Sequence, residues 1–253
     1  MGVNRLSLGV QSFDDDMLQM LGRAHDSKTA IDTIETVRSR FENFSIDLMC
    51  GIPGLSEEVF KESVQKAIDL KVPHVSIYPL TIEYNTMFYK WKAQGKIDDI
   101  DEDVQADHML LAAEMLEGAG YKHYEVASYA LDGFECKHNL AYWQGKPYLG
   151  LGQSATTMTQ NSQRRMRVTD DHVEDDLDTK QMLAEDCMLA MRTRFGITED
   201  LAKKARAQLK NFDDAINELI KAGLIKESSG SYVPTEKGWL CGNELYIKLM
   251  DLC

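Results

Sequence analysis

The sequence has no run of about 18 apolar residues, so no helical membrane span is expected. Proline and glycine are few, 5 and 17 in 253 residues, which argues against a disordered or fibrous chain. The five cysteines, Cys50, Cys136, Cys187, Cys241 and Cys253, show no CxxC or CxxxCxxC spacing. That excludes a local cysteine cradle for zinc or an iron–sulfur cluster, and the odd count reads as free thiols. Basic residues are also short: 28 Lys+Arg against 41 Asp+Glu give a formal charge of −13. The deficit lies in residues 1–179, with 17 basic against 30 acidic, whereas residues 180–253 hold 11 of each. An acidic body with a neutral tail does not attract phosphates, so no nucleic acid partner is expected. The first ten residues lack the apolar core of a signal peptide, and a cytoplasmic location is the default.

What is present is an alternation of strand and helix patterns over the first 90 residues. Residues 5–10 read as a short strand, 44–50 as a second and 72–80 as a third. Between them lie two amphipathic helices, one opening at Ser27 with Ala30, Ile31, Ile34 and Val37 on a stripe. The other runs over 56–70 with Val59, Phe60, Val64, Ala67 and Ile68 inward. Helical crossovers make the three strands parallel. Three parallel strands with the first near the terminus read as a sheet that begins in mid-fold, and its first strand as an exposed edge open to self-association.

Further along, residues 103–119 read as a helix, 121–129 and 140–151 as extended segments rich in aromatics, and 170–178 as an acidic linker with a solvated His172. The Asp-rich stretch 98–107 reads as a solvated loop and helix start rather than a metal site. The tail reads as helices over 180–194 and 212–222, a hairpin turning at Ser228-Ser229-Gly230, and a last helix over 235–249, a winged-helix-like order. Its candidate recognition helix carries Asp213, Asp214 and Glu218 against Lys221 alone, which opposes DNA binding.

Three polar residues fall at or just beyond strand ends, where α/β barrels place ligand groups: Gln11, Asp47 and Glu83. Asp47 lies within the apolar strand Ile46-Asp47-Leu48-Met49, so it must pair with a neighbour or a ligand. Gly51-Ile52-Pro53-Gly54 reads as a turn.

The segment GVNRLSLGVQSF at 2–13, with Leu21-Gly22-Arg23-Ala24-His25 after it, resembles a signature of the oxygen-independent coproporphyrinogen III oxidase and heme chaperone family of radical S-adenosylmethionine proteins. The run from Ile46 to Gly54, the run Leu80-Thr81-Ile82-Glu83, His138-Asn139-Leu140-Ala141-Tyr142-Trp143 and Tyr148-Leu149-Gly150-Leu151-Gly152 resemble later motifs of that family in order. The resemblance implies an α/β fold: the second half of a radical SAM (β/α) barrel over 1–95, an α+β extension carrying the HNxxYW motif over 96–178, and a winged-helix-like domain over 179–253. It implies S-adenosylmethionine bound by Gln11, Arg23 and Asp47, and a 4Fe-4S cluster held in full-length members on a CxxxCxxC loop that this chain lacks. The expected function is that of a coproporphyrinogen III oxidase-like protein of porphyrin metabolism, inactive without the cluster segment. The alternative is a heme chaperone, with His138 as an axial ligand and Tyr142 and Trp143 stacking on the macrocycle. Either way the expected partner is a tetrapyrrole, coproporphyrinogen III or heme.

Overall fold

The structure, a computed structural model, describes residues 2–253. The chain forms two compact units, one ending at Glu135 and the other spanning Cys136–Cys253.

The first unit is built on β1 (Leu6–Gln11), α1 (Asp15–Met20), α2 (Ser27–Arg38), β2 (Phe44–Cys50), α3 (Glu57–Asp69), β3 (His74–Pro79), α4 (Met87–Ala93), α5 (Glu102–Gly118), β4 (Lys122–Glu125) and β5 (Ser128–Ala130). The five strands make one sheet in the order β1-β2-β3-β5-β4, so β1 and β4 are its edges. The first three strands are parallel, as the crossover helices require. The last two join antiparallel, placing Val75 opposite Tyr129. The result is an open mixed α/β sheet with a parallel half rather than a closed barrel.

Each helix start is fixed by a side chain that accepts from the first turn. Asp14, Asp26, Ser56, Thr86 and Asp101 cap α1, α2, α3, α4 and α5. Just before α1, Ser12 accepts from the Asp14 amide at 3.1 Å. The apolar stripes of α2, α3 and α5 supply Ile34, Phe60, Val64, Ala67, Ala112 and Leu116 to the core. They pack there with Ile46, Leu48, Val75 and Ile77 of the sheet. Burying a side chain of this size contributes about 1.5–3 kcal/mol.

The second unit holds α6 (Lys137–Trp143), β6 (Thr156–Gln160), β7 (Arg165–Thr169), β8 (His172–Leu177), α7 (Thr179–Ala190), α8 (Glu199–Gln208), α9 (Phe212–Lys221), β9 (Ile225–Ser228), β10 (Ser231–Pro234), α10 (Glu236–Leu240) and α11 (Gly242–Met250). Three helices followed by the β9–β10 hairpin give the winged-helix-like order expected of the tail. The expected last helix is two, α10 and α11, meeting at Cys241.

Two expectations fail here. Residues 137–143 are helical, not extended. Spacings of three and four bring Leu140 and Trp143 to one side, where they line a common cavity, and His138 and Tyr142 to another, where their rings meet. The acidic linker is strand β8, which turns back on β7 through Asp170 and Asp171, both at positive φ. Its charges meet arginines across the ladder: Asp176 pairs with Arg164, and Asp175 with Arg167 at 3.0 Å. Arg165, 2% exposed, shares the face of Arg167 and is held by Glu185 and Asp186 of α7, and Glu185 also meets Arg167 at 2.9 Å. Among the described residues no helix is long and apolar enough to cross a membrane.

Candidate functional site

The parallel strands carry two different faces. Leu8 and Val10, Ile46 and Leu48, and Val75 and Ile77 belong to the apolar core. The alternate positions are polar or small: Ser7, Gly9 and Gln11; Ser45 and Asp47; His74 and Ser76. Period two thus separates a packed face from a hydrogen-bonding one.

Asp47 stands at the centre of that second face. It pairs in register with Ser76 of β3, and the Ser7 hydroxyl of β1 donates to its carboxylate at 3.3 and 3.4 Å. Burial raises the pKa of Asp47, opposed by the hydrogen bonds of Ser7 and Ser76 and by the charge of Arg5. Arg5 itself donates to Asn43 and, at 3.3 Å, to the Phe134 carbonyl. Deeper in the face, the Ser76 and Ser128 hydroxyls meet at 3.1 Å and His74 Nε2 meets the Tyr124 hydroxyl at 2.8 Å. Burial pushes His74 down to about 3, so it is neutral.

Gln11 and Arg23 converge on Gly9. An Arg23 terminal nitrogen donates to the Gly9 carbonyl at 3.1 Å, and His25 Nε2 lies 3.2 Å from the Val10 carbonyl. A Cβ at position 9 would lie 2.9 Å from Gln11 Nε2 and 3.4 Å from the Arg23 nitrogen. Glycine here keeps open the space in which these two side chains meet. Gln11 ends β1 at φ 69, a left-handed backbone that turns the strand end. Asp47 lies on the same face, tied to Ser7 two residues before Gly9. Glu83 does not join the group. It is exposed in the turn before α4, where its carbonyl accepts from the Thr86 hydroxyl at 2.7 Å.

The turn at Gly51–Gly54 is anchored from below. The Gly51 amide donates to His108 Nδ1 at 3.2 Å, and Gln105 Nε2 donates to the Leu80 carbonyl at 2.7 Å. His108 stacks on Phe60 at 4.7 Å between centroids. Ser7, His74, Ser76 and the α5 anchors do not stand out as single polar residues in the sequence. The polar period of two in all three strands is the signal that marks the first three; Gln105 and His108 leave none, because their partners are about 25 and 57 residues away.

In the second unit, His138 is exposed and lies edge-on to Tyr142 at 4.8 Å, and Tyr142 meets Tyr148 at 4.7 Å. Trp143 does not share that side. Arg192 lies over its ring at 5.1 Å and over Tyr246 at 4.3 Å. Of the two aromatics expected beside His138, Tyr142 shares its side of α6 and Trp143 does not. Cys50 and Cys187 are buried, and burial pushes each thiol up to about 12. Among the described residues no three His, Cys, Asp or Glu side chains are grouped to hold a metal ion.

The profile of the Radical SAM superfamily matches residues 1–67, the stretch that holds β1 and β2 with Gln11, Arg23 and Asp47. Full-length comparison narrows this. The heme chaperone HemW of Lactococcus lactis is 32% identical over 262 residues, covering 98% of this chain and 69% of that protein. HemW of Bacillus subtilis is 32% identical over 264 residues, covering 97% and 69%. HemW of Escherichia coli is 33% identical over 270 residues, covering 96% and 68%. The chain belongs to the HemN-like radical SAM family, alongside the heme chaperones HemW, and spans about two thirds of the length of these relatives. Among solved structures, coproporphyrinogen III oxidase (HemN) from Escherichia coli superposes with a TM-score of 0.72 at 18% identity, over 98% of this chain and 64% of that one. At that identity the likeness carries the fold alone. The relatives favour the heme chaperone over the oxidase activity that the sequence resemblance first implied.

Proposed function

We propose that this chain serves as a heme chaperone of the radical SAM superfamily, with His138 as the axial ligand to heme iron. The observation that carries this reading is the exposed imidazole of His138 set edge-on to Tyr142 on α6. An exposed imidazole is a ready iron ligand, and an aromatic neighbour one turn away offers a flat apolar contact to a macrocycle. The names of the relatives support heme as the tetrapyrrole.

S-adenosylmethionine is assigned to Gln11, Arg23 and Asp47. Glycine at position 9 lets the Gln11 amide and the Arg23 guanidinium lie side by side, where they can meet one ligand together. Arg23 spends one nitrogen on the Gly9 carbonyl and offers its remaining donors to a carboxylate. Gln11 supplies a donor and an acceptor. Asp47, oriented by Ser7, accepts from hydroxyl or amino groups. These residues bind and orient; no catalytic residue is assigned. The edge position of β1 supports self-association through that strand, which sedimentation over a concentration series would detect.

Hemin titration tests the heme assignment. A Soret shift is expected with the wild type and its loss in His138→Ala. No binding by the wild type, or an unchanged spectrum in the variant, would remove His138 from the role.

A further inference from the structure

The second unit holds a cavity of about 340 Å³ beside α6. Leu140 and Trp143 of α6, Asp186 and Ala190 of α7, Phe195 of the following turn and Leu201 of α8 line it. Asp186 is the one ionisable side chain on its wall. Asp186 Oδ1 accepts from Arg165 at 2.7 Å, but the two ends of that bond are placed differently. The Asp186 side chain is 37% exposed and lines the cavity, whereas Arg165 is 2% exposed and does not. The carboxylate reaches the cavity and its counter-charge stays behind it.

The lining threonines have committed their hydroxyls elsewhere. Thr193 donates to the Ala190 carbonyl at 3.0 Å, and Thr198 accepts from the Leu201 amide at 3.4 Å as the cap of α8. Two aromatic rings, several aliphatic side chains, the Gln144 amide and a single acid therefore set the ligand chemistry. Burial is the largest influence on Asp186 and raises its pKa, so a cation brought beside it would offset a cost the fold already carries. A carboxylate ligand would meet like charge, and a wholly apolar one would leave the acid facing it without reward. Cavities of this size take small molecules rather than macromolecular surfaces.

We propose that this cavity binds a small aromatic monoamine as its ammonium ion, with the ring against Trp143 and Phe195 and the charge on Asp186. The site lies on the opposite side of α6 from His138 and does not depend on heme binding there.

The test uses 2-phenylethylammonium as probe, with neutral 2-phenylethanol as its isostere, followed by tryptophan fluorescence and calorimetry on the whole chain. Saturable amine binding is expected, with the alcohol roughly tenfold weaker or worse. Trp143→Phe should remove the fluorescence change while the calorimetric heat remains. Asp186→Asn should abolish the preference for the amine. Because that variant also loosens Arg165, Ala190→Leu, which fills the cavity from another wall, provides the second arm and should block both probes. Absence of saturation, equal affinity for amine and alcohol, or amine binding that persists in Ala190→Leu would each overturn the assignment.

Discussion

The Ser7 hydroxyl faces both carboxylate oxygens of Asp47, at 3.3 and 3.4 Å, across the β1–β2 ladder. One donor thus spans a half-buried carboxylate whose other neighbour is Ser76. The arrangement orients the acid without neutralising it.

That relationship sets the pH behaviour of Asp47. Its folded pKa is raised, chiefly by burial. A group of this kind stabilises the fold when protonated; the contribution is full below the unfolded pKa and is lost as pH rises through the folded one. Asp47→Asn, which imitates the neutral form, should therefore raise Tm at pH 7 and give little gain near pH 3. The same variant should weaken S-adenosylmethionine binding by about tenfold or more in equilibrium dialysis. A lowered Tm at neutral pH would mean that the hydrogen bonds outweigh burial.

Two histidines, His74 buried and His123 partly buried, act in the opposite sense. Burial lowers His74 to about 3 and His123 to about 4. Their contribution is present above the unfolded value near 6.5 and is lost as pH falls through the folded values. Around pH 5 the two together should give a stability slope of about 2.7 kcal/mol per pH unit. Urea unfolding between pH 4 and 7 should show a shallower slope in His74→Gln/His123→Gln than in wild type. Equal slopes would place the proton uptake elsewhere.

Gly51 has no room for a side chain. Its φ is +63, and a Cβ would lie 2.1 Å from Gln105 Cγ. Gly51→Ala should destabilise by roughly 2–4 kcal/mol in denaturant titration, through backbone strain and displacement of the Gln105–Leu80 bond. Gln105→Ala should recover part of that loss by opening the space.

The two aromatics of α6 should separate cleanly. Tyr142→Ala is expected to weaken hemin binding about tenfold with little change in Tm. Trp143→Ala is expected to lower Tm, because Arg192 loses one of its two ring partners, and to leave the Soret shift in place. Reversal of these effects would show that Trp143 rather than Tyr142 meets the macrocycle.

Arg165 is held by Glu185 and by Asp186, and by Gln160 at 2.9 Å. Removing one partner of a buried pair leaves an uncompensated charge. Glu185 also holds Arg167 at 2.9 Å, so Glu185→Ala should cost about 3–5 kcal/mol, and Arg165→Met with Glu185→Leu should recover only part of that because Arg167 still loses a partner. Chemical denaturation of the single and double variants measures this.

The parallel half of the first sheet was legible because its strands and helices carry strong, local periodicities. Ala30, Ile34 and Val37 are buried on α2, and Phe60, Val64 and Ala67 on α3, as their spacing demands. Val59 and Ile68 are only partly buried because they lie at the stripe's margins. Strand β8 was not legible because its acidic composition resembles solvated loop, and the arginines that pair with it lie on β7 and just before it. Helix α6 was hidden by aromatic residues whose strand propensity is ordinarily high, here outweighed by Leu140 and Trp143 packing on one side. At the candidate site, the motif residues Gln11, Arg23 and Asp47 stood out, but the serines that hold Asp47 did not, since a serine within a strand is chemically quiet until its neighbour across the ladder is known.

Gln11 keeps a left-handed backbone at φ 69 that costs an L-residue about 1–2 kcal/mol and costs glycine almost nothing. A selection for thermal resistance alone would therefore favour Gln11→Gly at this strand end. The gain would come from the very position that carries an amide into the space over Gly9, so a hardier protein drawn from such a screen would have traded away its grip on ligand.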